Sequence, residues 1–167
     1  LSDIEIPDTV TDIGESCFYS CKALEEIRLP NGITQIPSHL FSGCENLKNI
    51  RIPPNIQRIG DWAFPSSATE KEEGLQYIGK YLVGTYYDGI EREKIKVREG
   101  TVLLAEHALT QVRCEEIYIP EGVKYIPPDV FEYASVKKLT IPGSVEYLDR
   151  GALSIHSIET LVIPRIG

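Results

Sequence analysis

Residues 1–23 read LSDIEIPDTVTDIGESCFYSCKA, and residues 24–46 repeat the same pattern as LEEIRLPNGITQIPSHLFSGCEN. Phe18 and Cys21 of the first stretch are matched by Phe41 and Cys44 of the second. A sequence that resembles itself at a period of about 20–50 residues is typical of solenoids and other repeat architectures. The rest of the chain is therefore best analysed by aligning it with these two stretches.

Three short elements recur in register along the chain. The first, Ile/Leu-x-Ile/Leu-Pro, ends at a proline that returns after 23, 23, 67, 22 and 22 residues. The long interval is close to three repeats, and within it Ile95-Lys96-Val97 restores the pattern with Arg98 in place of proline. In six repeat units the first element is followed by a second, such as Ile13-Gly14, and then by a third, such as Cys17-Phe18. The prolines are Pro7, Pro30, Pro53, Pro120, Pro142 and Pro164.

The spacing predicts short strands that stack. Alternate apolar residues of the first element share one face of a strand, and the proline ends the strand because it cannot donate to the ladder. One coil cannot bury its own apolar face, so neighbouring coils must cover it. We expect a single β-rich solenoid over residues 1–167, with about 7–8 coils of 22–23 residues and a parallel β-sheet on one face. The expected repeats are about 1–23, 24–46, 47–64, 92–113, 114–135, 136–157 and a partial 158–167.

Residues 65–91 depart from the repeat. The segment PSSATEKEEG, residues 65–74, predicts a surface loop, and Tyr81 to Tyr87 predicts a strand before a turn at Asp88-Gly89. We expect an irregular β insertion here that projects from the stack or replaces one coil. Its tyrosines form either an aromatic contact patch or a cover over the seam where the register changes; they are Tyr77, Tyr81, Tyr86 and Tyr87.

The pattern L-x-x-I-x-I-P-x-x-V-T-x-I-G-x-x-A/C-F-x-x-C resembles the BspA-like leucine-rich repeats of bacterial surface proteins. The resemblance covers nearly the whole chain and is best over residues 1–23, 24–46 and 47–64. It implies a leucine-rich repeat right-handed superhelix on an extracellular or cell-surface bacterial protein. It also implies binding of other macromolecules, with adhesion to host or neighbouring cells as one such role.

Composition and motifs exclude several classes of function. The formal net charge of −8 is wrong for a general nucleic-acid binder, and no apolar run approaches the ~20 residues of a membrane span. Motifs for nucleophilic catalysis, phosphate binding or metal binding are absent from the sequence. We therefore expect no enzyme activity, no cofactor, no metal site, no nucleic acid and no membrane insertion.

The cysteines and histidines fit repeat positions. Cys17, Cys21, Cys44 and Cys114 fall on slots that should face inward, which favours buried free thiols, although a Cys21–Cys44 disulfide is the alternative. His39 and His107 share one slot three coils apart, too far for one ion. His156 takes the inward slot of Cys21, where we expect it to pack.

The outward slots of the first strands form the candidate binding surface, because a solenoid commonly binds partners on such a face. Its partner would be a protein or a carbohydrate. An alternative for any single residue is a cross-strand charge pair, such as Glu5–Arg28, that serves solubility. These outward slots form two columns across the sheet. The first begins with Glu5, and we expect it to contain Gly79, Thr140 and Val162. The second contains Glu26, Glu116, Lys138 and Thr160. The candidate binding residues are Glu5, Arg28, Asn49, Arg51, Tyr77, Lys94, Lys96 and Tyr118.

Two further aromatic positions are singled out. Tyr125 and Tyr147 occupy one slot in neighbouring coils and should stack. Trp62 precedes Ala63-Phe64 and should be partly exposed, either under the 65–74 loop or as a ligand contact.

Neither end of the chain carries a polar cap, and Leu161-Val162-Ile163 would present an open edge. These features favour a fragment of a longer protein and end-to-end self-association through the terminal repeats. The leading hypothesis for function is a recognition module, and the alternative is a structural spacer that presents other domains and has no ligand of its own.

Overall fold

The computed structural model describes residues 4–86, 89 and 92–163. The chain divides into two compact units, Leu1–Glu70 and Lys71–Gly167. Each unit is a parallel β-solenoid built from the predicted repeat.

In the first unit the two extended pieces of each coil are short parallel strands. β1 (Glu26–Arg28) and β2 (Gln35–Ile36) belong to one coil, and β3 (Asn49–Arg51) and β4 (Arg58–Ile59) to the next. β1 pairs with β3 and β2 pairs with β4, while Glu5 of the preceding coil forms a single bridge to Arg28. The strands are short because a proline or a turn ends each one.

The core of the first unit is filled by the repeat positions that the pattern assigned inward. Ile27, Leu29 and Ile36 are buried, and so is the Phe41 ring. Phe41 lies between Phe18 and Phe64, with ring centroids 5.6 and 6.3 Å apart and nearly parallel planes. The third repeat element therefore places one ring per coil in a continuous column.

The strands that follow β4 are β5 (Glu70–Glu72), β6 (Leu75–Ile78), β7 (Tyr81–Thr85), β8 (Lys94–Lys96), β9 (Leu103–Leu104), β10 (Arg113–Tyr118), β11 (Tyr125–Ile126), β12 (Ser135–Thr140), β13 (Tyr147–Leu148) and β14 (Ser157–Val162). They form two four-stranded sheets, of which one is wholly parallel, and one two-stranded sheet. The wholly parallel sheet has the order β14-β12-β10-β8, and β11 pairs with β13. The remaining sheet has the order β5-β6-β7-β9, in which β6 and β7 are antiparallel and β7 and β9 are parallel.

The predicted irregular β insertion near 65–91 is confirmed, and its internal structure is now visible. A 3-10 helix, Ser66–Ala68, leads into β5, so residues 65–74 are not simply a loop. β6 and β7 form a hairpin through Gly79-Lys80, and β7 then pairs with the second strand of the following coil at Leu82 and Leu104. The insertion thus replaces one coil along part of its path. The strand predicted over Tyr81 to Tyr87 ends earlier, at Thr85, while Tyr87 itself and Asp88 of the predicted Asp88-Gly89 turn lie outside the described residues.

The coil count is smaller than the 7–8 expected, at about six. The difference arises because the hairpin stands where a regular coil was counted and β14 only begins a further one. Among the described residues, no helix is both long and apolar enough to span a bilayer.

Candidate functional site: the strand face

We call the outward side chains of the first strands the strand face; it is described separately for each unit. In the first unit, Glu26 lies opposite Asn49, and Arg28 lies between Glu5 and Arg51. In the second, Glu116 lies between Lys94 and Lys138, and Tyr118 lies between Lys96 and Thr140. Thr160 and Val162 complete these two columns on β14. The register predicted from the spacing is therefore confirmed for the regular coils of each unit.

Arg28 has a different partner from the one predicted. Its Nη2 atom donates to both carboxylate oxygens of Asp8, at 2.8 and 3.0 Å, whereas Glu5 exerts only a weak electrostatic effect on it. Asp8 also accepts from the backbone N–H and the side-chain amide of Asn31, at 2.9 and 3.2 Å. The hydrogen bond from Arg28 and that from the Asn31 backbone hold the pKa of Asp8 below its usual value. Glu5 is the cross-strand neighbour of Arg28, as expected, but the hydrogen-bonded partner of the guanidinium is Asp8, which the turn after Pro7 brings to it.

The turn acid has a sequence signal that was overlooked. Asp8 follows Pro7 directly, and in the second unit Glu121 follows Pro120. Glu121 accepts the backbone N–H groups of Gly143 and Ser144, at 3.0 and 2.9 Å. An acid immediately after the proline therefore binds backbone donors of the next coil in both cases.

A shallow cleft of about 470 Å³ crosses the strand face of the first unit. Its side chains are both acidic and basic, and three residues of this face, Glu26, Asn49 and Arg51, have no side-chain hydrogen bond or ion pair with any residue that the structure describes. All three are exposed. The cleft is lined by Ile4, Glu5, Ile6, Glu26, Ile27, Arg28 and Arg51.

The strand face of the second unit is occupied by its own charge pairs. Glu116 binds Lys138 at 2.6 Å through one carboxylate oxygen and Lys94 at 3.1 Å through the other. These two hydrogen bonds, that of Lys138 first, lower the pKa of Glu116. In addition, the Lys96 ammonium lies 5.7 Å from the centroid of the Tyr118 ring. These contacts are of the kind that the alternative of self-neutralising cross-strand pairs describes.

Tyr77 is not on the strand face. It lies in the antiparallel hairpin and is only 1% exposed. Its hydroxyl accepts the backbone N–H of Arg98 at 3.0 Å, and the Arg98 guanidinium covers its ring at 4.2 Å. Burial raises its pKa. The expected column through Tyr77 and Gly79 is thus wrong, because the hairpin leaves the register of the neighbouring coils, and Tyr77 covers the seam instead.

The cysteines are free thiols, without a Cys21–Cys44 disulfide. Cys44 is fully buried and its thiol donates to the Phe18 carbonyl oxygen at 2.9 Å. Burial raises the pKa of Cys44, and it raises the pKa of Cys114 to about 11. Cys17, by contrast, is exposed, so its expected inward position is wrong. Cys17 is the residue directly before Phe18 in the first coil of the unit.

The histidines pair with acids. His39 Nε2 lies 3.8 Å from Asp61, and His107 Nε2 lies 3.1 Å from Glu132. His156 is exposed rather than packed, since the last coil lacks a cover at that slot among the described residues. Within residues 4–86, 89 and 92–163, no group of three or more His, Cys, Asp or Glu residues could hold a metal ion.

The predicted stacking of Tyr125 on Tyr147 is confirmed, and so is the exposure of Trp62, although not its place under the 65–74 loop. Tyr125 and Tyr147 stack with centroids 5.8 Å apart, and the Tyr125 hydroxyl donates to Asp149. Trp62 is 63% exposed, so the 65–74 segment does not cover it. Its backbone φ of 49° lies in the left-handed region.

The sequence model of the BspA type leucine-rich repeat region matches the chain in six copies, over residues 1–83 and 71–166. No curated protein matches it. Among solved structures, it is similar to a leucine-rich repeat protein of T. pallidum (TpLRR), at 18% identity and a TM-score of 0.43, over 92% of this chain and 66% of that one. It is also similar to a leucine-rich cell surface protein of Faecalibacterium prausnitzii A2-165, at 15% identity and a TM-score of 0.33, over 86% and 62%. The chain thus spans just under two thirds of the length of each.

Proposed function

The chain belongs to the BspA-type leucine-rich repeat family, and from this premise we propose that it is a non-catalytic binding module of a bacterial cell-surface or secreted protein. Its partner is a protein or a carbohydrate on host or neighbouring cells, so that the role is adhesion. The observation that carries the proposal is the unequal state of the two strand faces.

Charged groups that already bind one another are poor recognition groups, since a ligand must first displace the existing partner. On the second unit, Glu116 and the two lysines beside it satisfy one another. On the first unit, the Arg51 guanidinium and the Glu26 carboxylate have no such side-chain partner among the described residues, and they line one cleft. A partner can therefore gain charge-assisted hydrogen bonds there without breaking any. We place the binding site on the strand face of the first unit.

The test is binding of the fluorescently labelled chain to epithelial monolayers and to cells of the source bacterium. Wild type should bind saturably, and Arg51→Ala or Glu26→Ala should weaken binding by about tenfold or more, as expected when a charged hydrogen bond is lost. The matched control is Lys138→Ala, which removes a charge of the same strand face in the second unit and should leave binding unchanged. Pretreating the cells with protease or with glycosidases would distinguish a protein partner from a carbohydrate.

A structural spacer is the second candidate, favoured by the self-neutralised strand face of the second unit. It would show no saturable binding, and all three variants would behave like wild type. Surface exposure is tested separately by shaving intact source cells with protease and identifying the released peptides. Release of peptides from this chain only after lysis would contradict the surface location.

A further inference from the structure

Trp62 is an exposed aromatic residue in a backbone conformation that L residues seldom adopt. Its φ is 49° and its side chain makes no ring or cation–π contact with residues that the structure describes. The same slot in other coils holds Ser16, His39 and Gly151, all with positive φ. The fold therefore requires only a residue that tolerates this turn, and glycine would serve best. The positive φ is thus a feature of this repeat position, whereas the largely exposed indole is not required by the turn.

The neighbours of Trp62 along the stack are fixed by backbone hydrogen bonds. The His39 N–H donates to the Asp61 carbonyl at 2.9 Å, and the Phe41 N–H donates to the Ala63 carbonyl at 2.9 Å. His39 thus lies one coil from Trp62, at the stacking distance of about 4.8 Å. The His39 imidazole faces the Asp61 carboxylate at 3.8 Å, and its side chain is 44% exposed. An aromatic face and an imidazole–carboxylate pair therefore occupy adjacent positions of one ridge.

The surroundings indicate which class of ligand fits. The centre of a protein interface is apolar and depleted in charged residues, whereas the two residues placed beside Trp62, His39 and Asp61, are polar. Tyr19 is the other large exposed aromatic described in this unit. A ring beside an imidazole and a carboxylate instead matches a pyranose, whose axial C–H groups pack on the negative face of an indole while its hydroxyls bond to the polar groups.

We propose that Trp62, His39 and Asp61 form a saccharide-binding site for β1,4-linked pyranose oligomers, on the turn ridge and separate from the strand face. Each sugar of such an oligomer presents a flat C–H face. Trp62 supplies the stacking surface, and the His39–Asp61 pair supplies a donor and an acceptor for ring hydroxyls. The site needs neither Arg51 nor Glu26.

Trp62 is the one tryptophan of the chain, so its fluorescence reports directly on the site. Titration with cellohexaose and with chitohexaose, each up to about 10 mM to reach weak affinities, should give a saturable blue shift and protection from acrylamide with at least one of them. His39→Ala should weaken that binding by about fivefold, the loss of one hydrogen bond. His107→Ala, the same slot in the other unit, should not.

Calorimetry extends the test to variants that lack the indole. Trp62→Gly should abolish the binding heat without loss of folding, while Tyr133→Gly, which removes another exposed aromatic residue with a φ of 57°, should bind like wild type. Arg51→Ala should also bind the saccharide normally, so that failure of the strand-face proposal and failure of this one are distinguishable. An unchanged spectrum with both oligomers, or equal binding by Trp62→Gly and wild type, would overturn the proposal.

Discussion

At the scale of single residues, Arg98 shows how one departure from the repeat is tied to another. Every regular coil has proline where this coil has arginine, and β9 of this coil pairs with β7 of the hairpin. The Arg98 backbone N–H, which a proline would lack, donates to the Tyr77 hydroxyl, and its guanidinium also donates to the Gly79 carbonyl. Arginine in place of proline at this repeat position therefore goes together with the hairpin, because it binds the hairpin residues Tyr77 and Gly79.

Restoring the repeat consensus with Arg98→Pro should consequently destabilise the protein. The change leaves the buried Tyr77 hydroxyl without this donor, at about 1–3 kcal/mol, and removes the cation–π contact, about 0.5–2 kcal/mol. Proline also lowers the conformational entropy of the unfolded chain, which stabilises the folded state by only about 0.4–1 kcal/mol. We expect a net loss of roughly 2 kcal/mol in the free energy of unfolding, measured by urea denaturation.

A double-mutant cycle with Tyr77→Phe checks the cause. If the hydrogen bond carries the effect, the two changes together should cost less than their sum. Arg98→Met, which keeps the backbone N–H, should cost less than Arg98→Pro. A proline variant as stable as wild type would contradict this account.

At the scale of elements, the period of the sequence was sufficient to predict the register of the parallel strands. Glu26 opposite Asn49 and Tyr118 opposite Lys96 follow from spacing alone, because each coil repeats the same path. The predicted position of Tyr77 was wrong because counting repeat positions assumes a regular coil, whereas this segment forms a hairpin. The Asp8–Arg28 pair was missed because turn side chains reach a strand in ways that a strand pattern does not encode.

The reason for a glycine at the turn after Ile59 is likewise seen only from the packing of neighbouring coils. Gly14 and Gly60 hold the same repeat slot, after Ile13 and Ile59. A Cβ on Gly60 would lie 2.5 Å from the backbone nitrogen of Ser38 in the preceding coil, whereas a Cβ on Gly14 would meet no described atom within 4 Å. Gly60→Ala must therefore push two coils apart.

We expect Gly60→Ala to lower the free energy of unfolding by about 1–3 kcal/mol, the usual cost of overpacking, and Gly14→Ala to change it by less than about 1 kcal/mol. Thermal or urea unfolding of the two variants provides the comparison. Equal stabilities would show that the close approach of the coils at Gly60 relaxes freely.

At the scale of the whole molecule, the last described strand exposes residues that belong to the core elsewhere. Ile158 and Leu161 of β14 are in register with Val136 and Leu139 of β12. The β12 residues are 3% and 0% exposed, whereas those of β14 are 37% and 41% exposed. β14 also lies at the edge of its sheet. An apolar strand with an open ladder edge is a template for another strand.

We propose that a second copy of the chain occupies this edge, because a coil of the same repeat is what covers the equivalent positions at β12. Sedimentation over a concentration series should show reversible association. Leu161→Lys places a charge in the apolar contact and should shift the chain to monomer. Val162→Lys adds the same charge to the same strand on its outward side, in register with Thr140, and should leave association unchanged. A monomer at about 100 μM, or equal behaviour of the two lysine variants, would exclude pairing through the apolar side of β14.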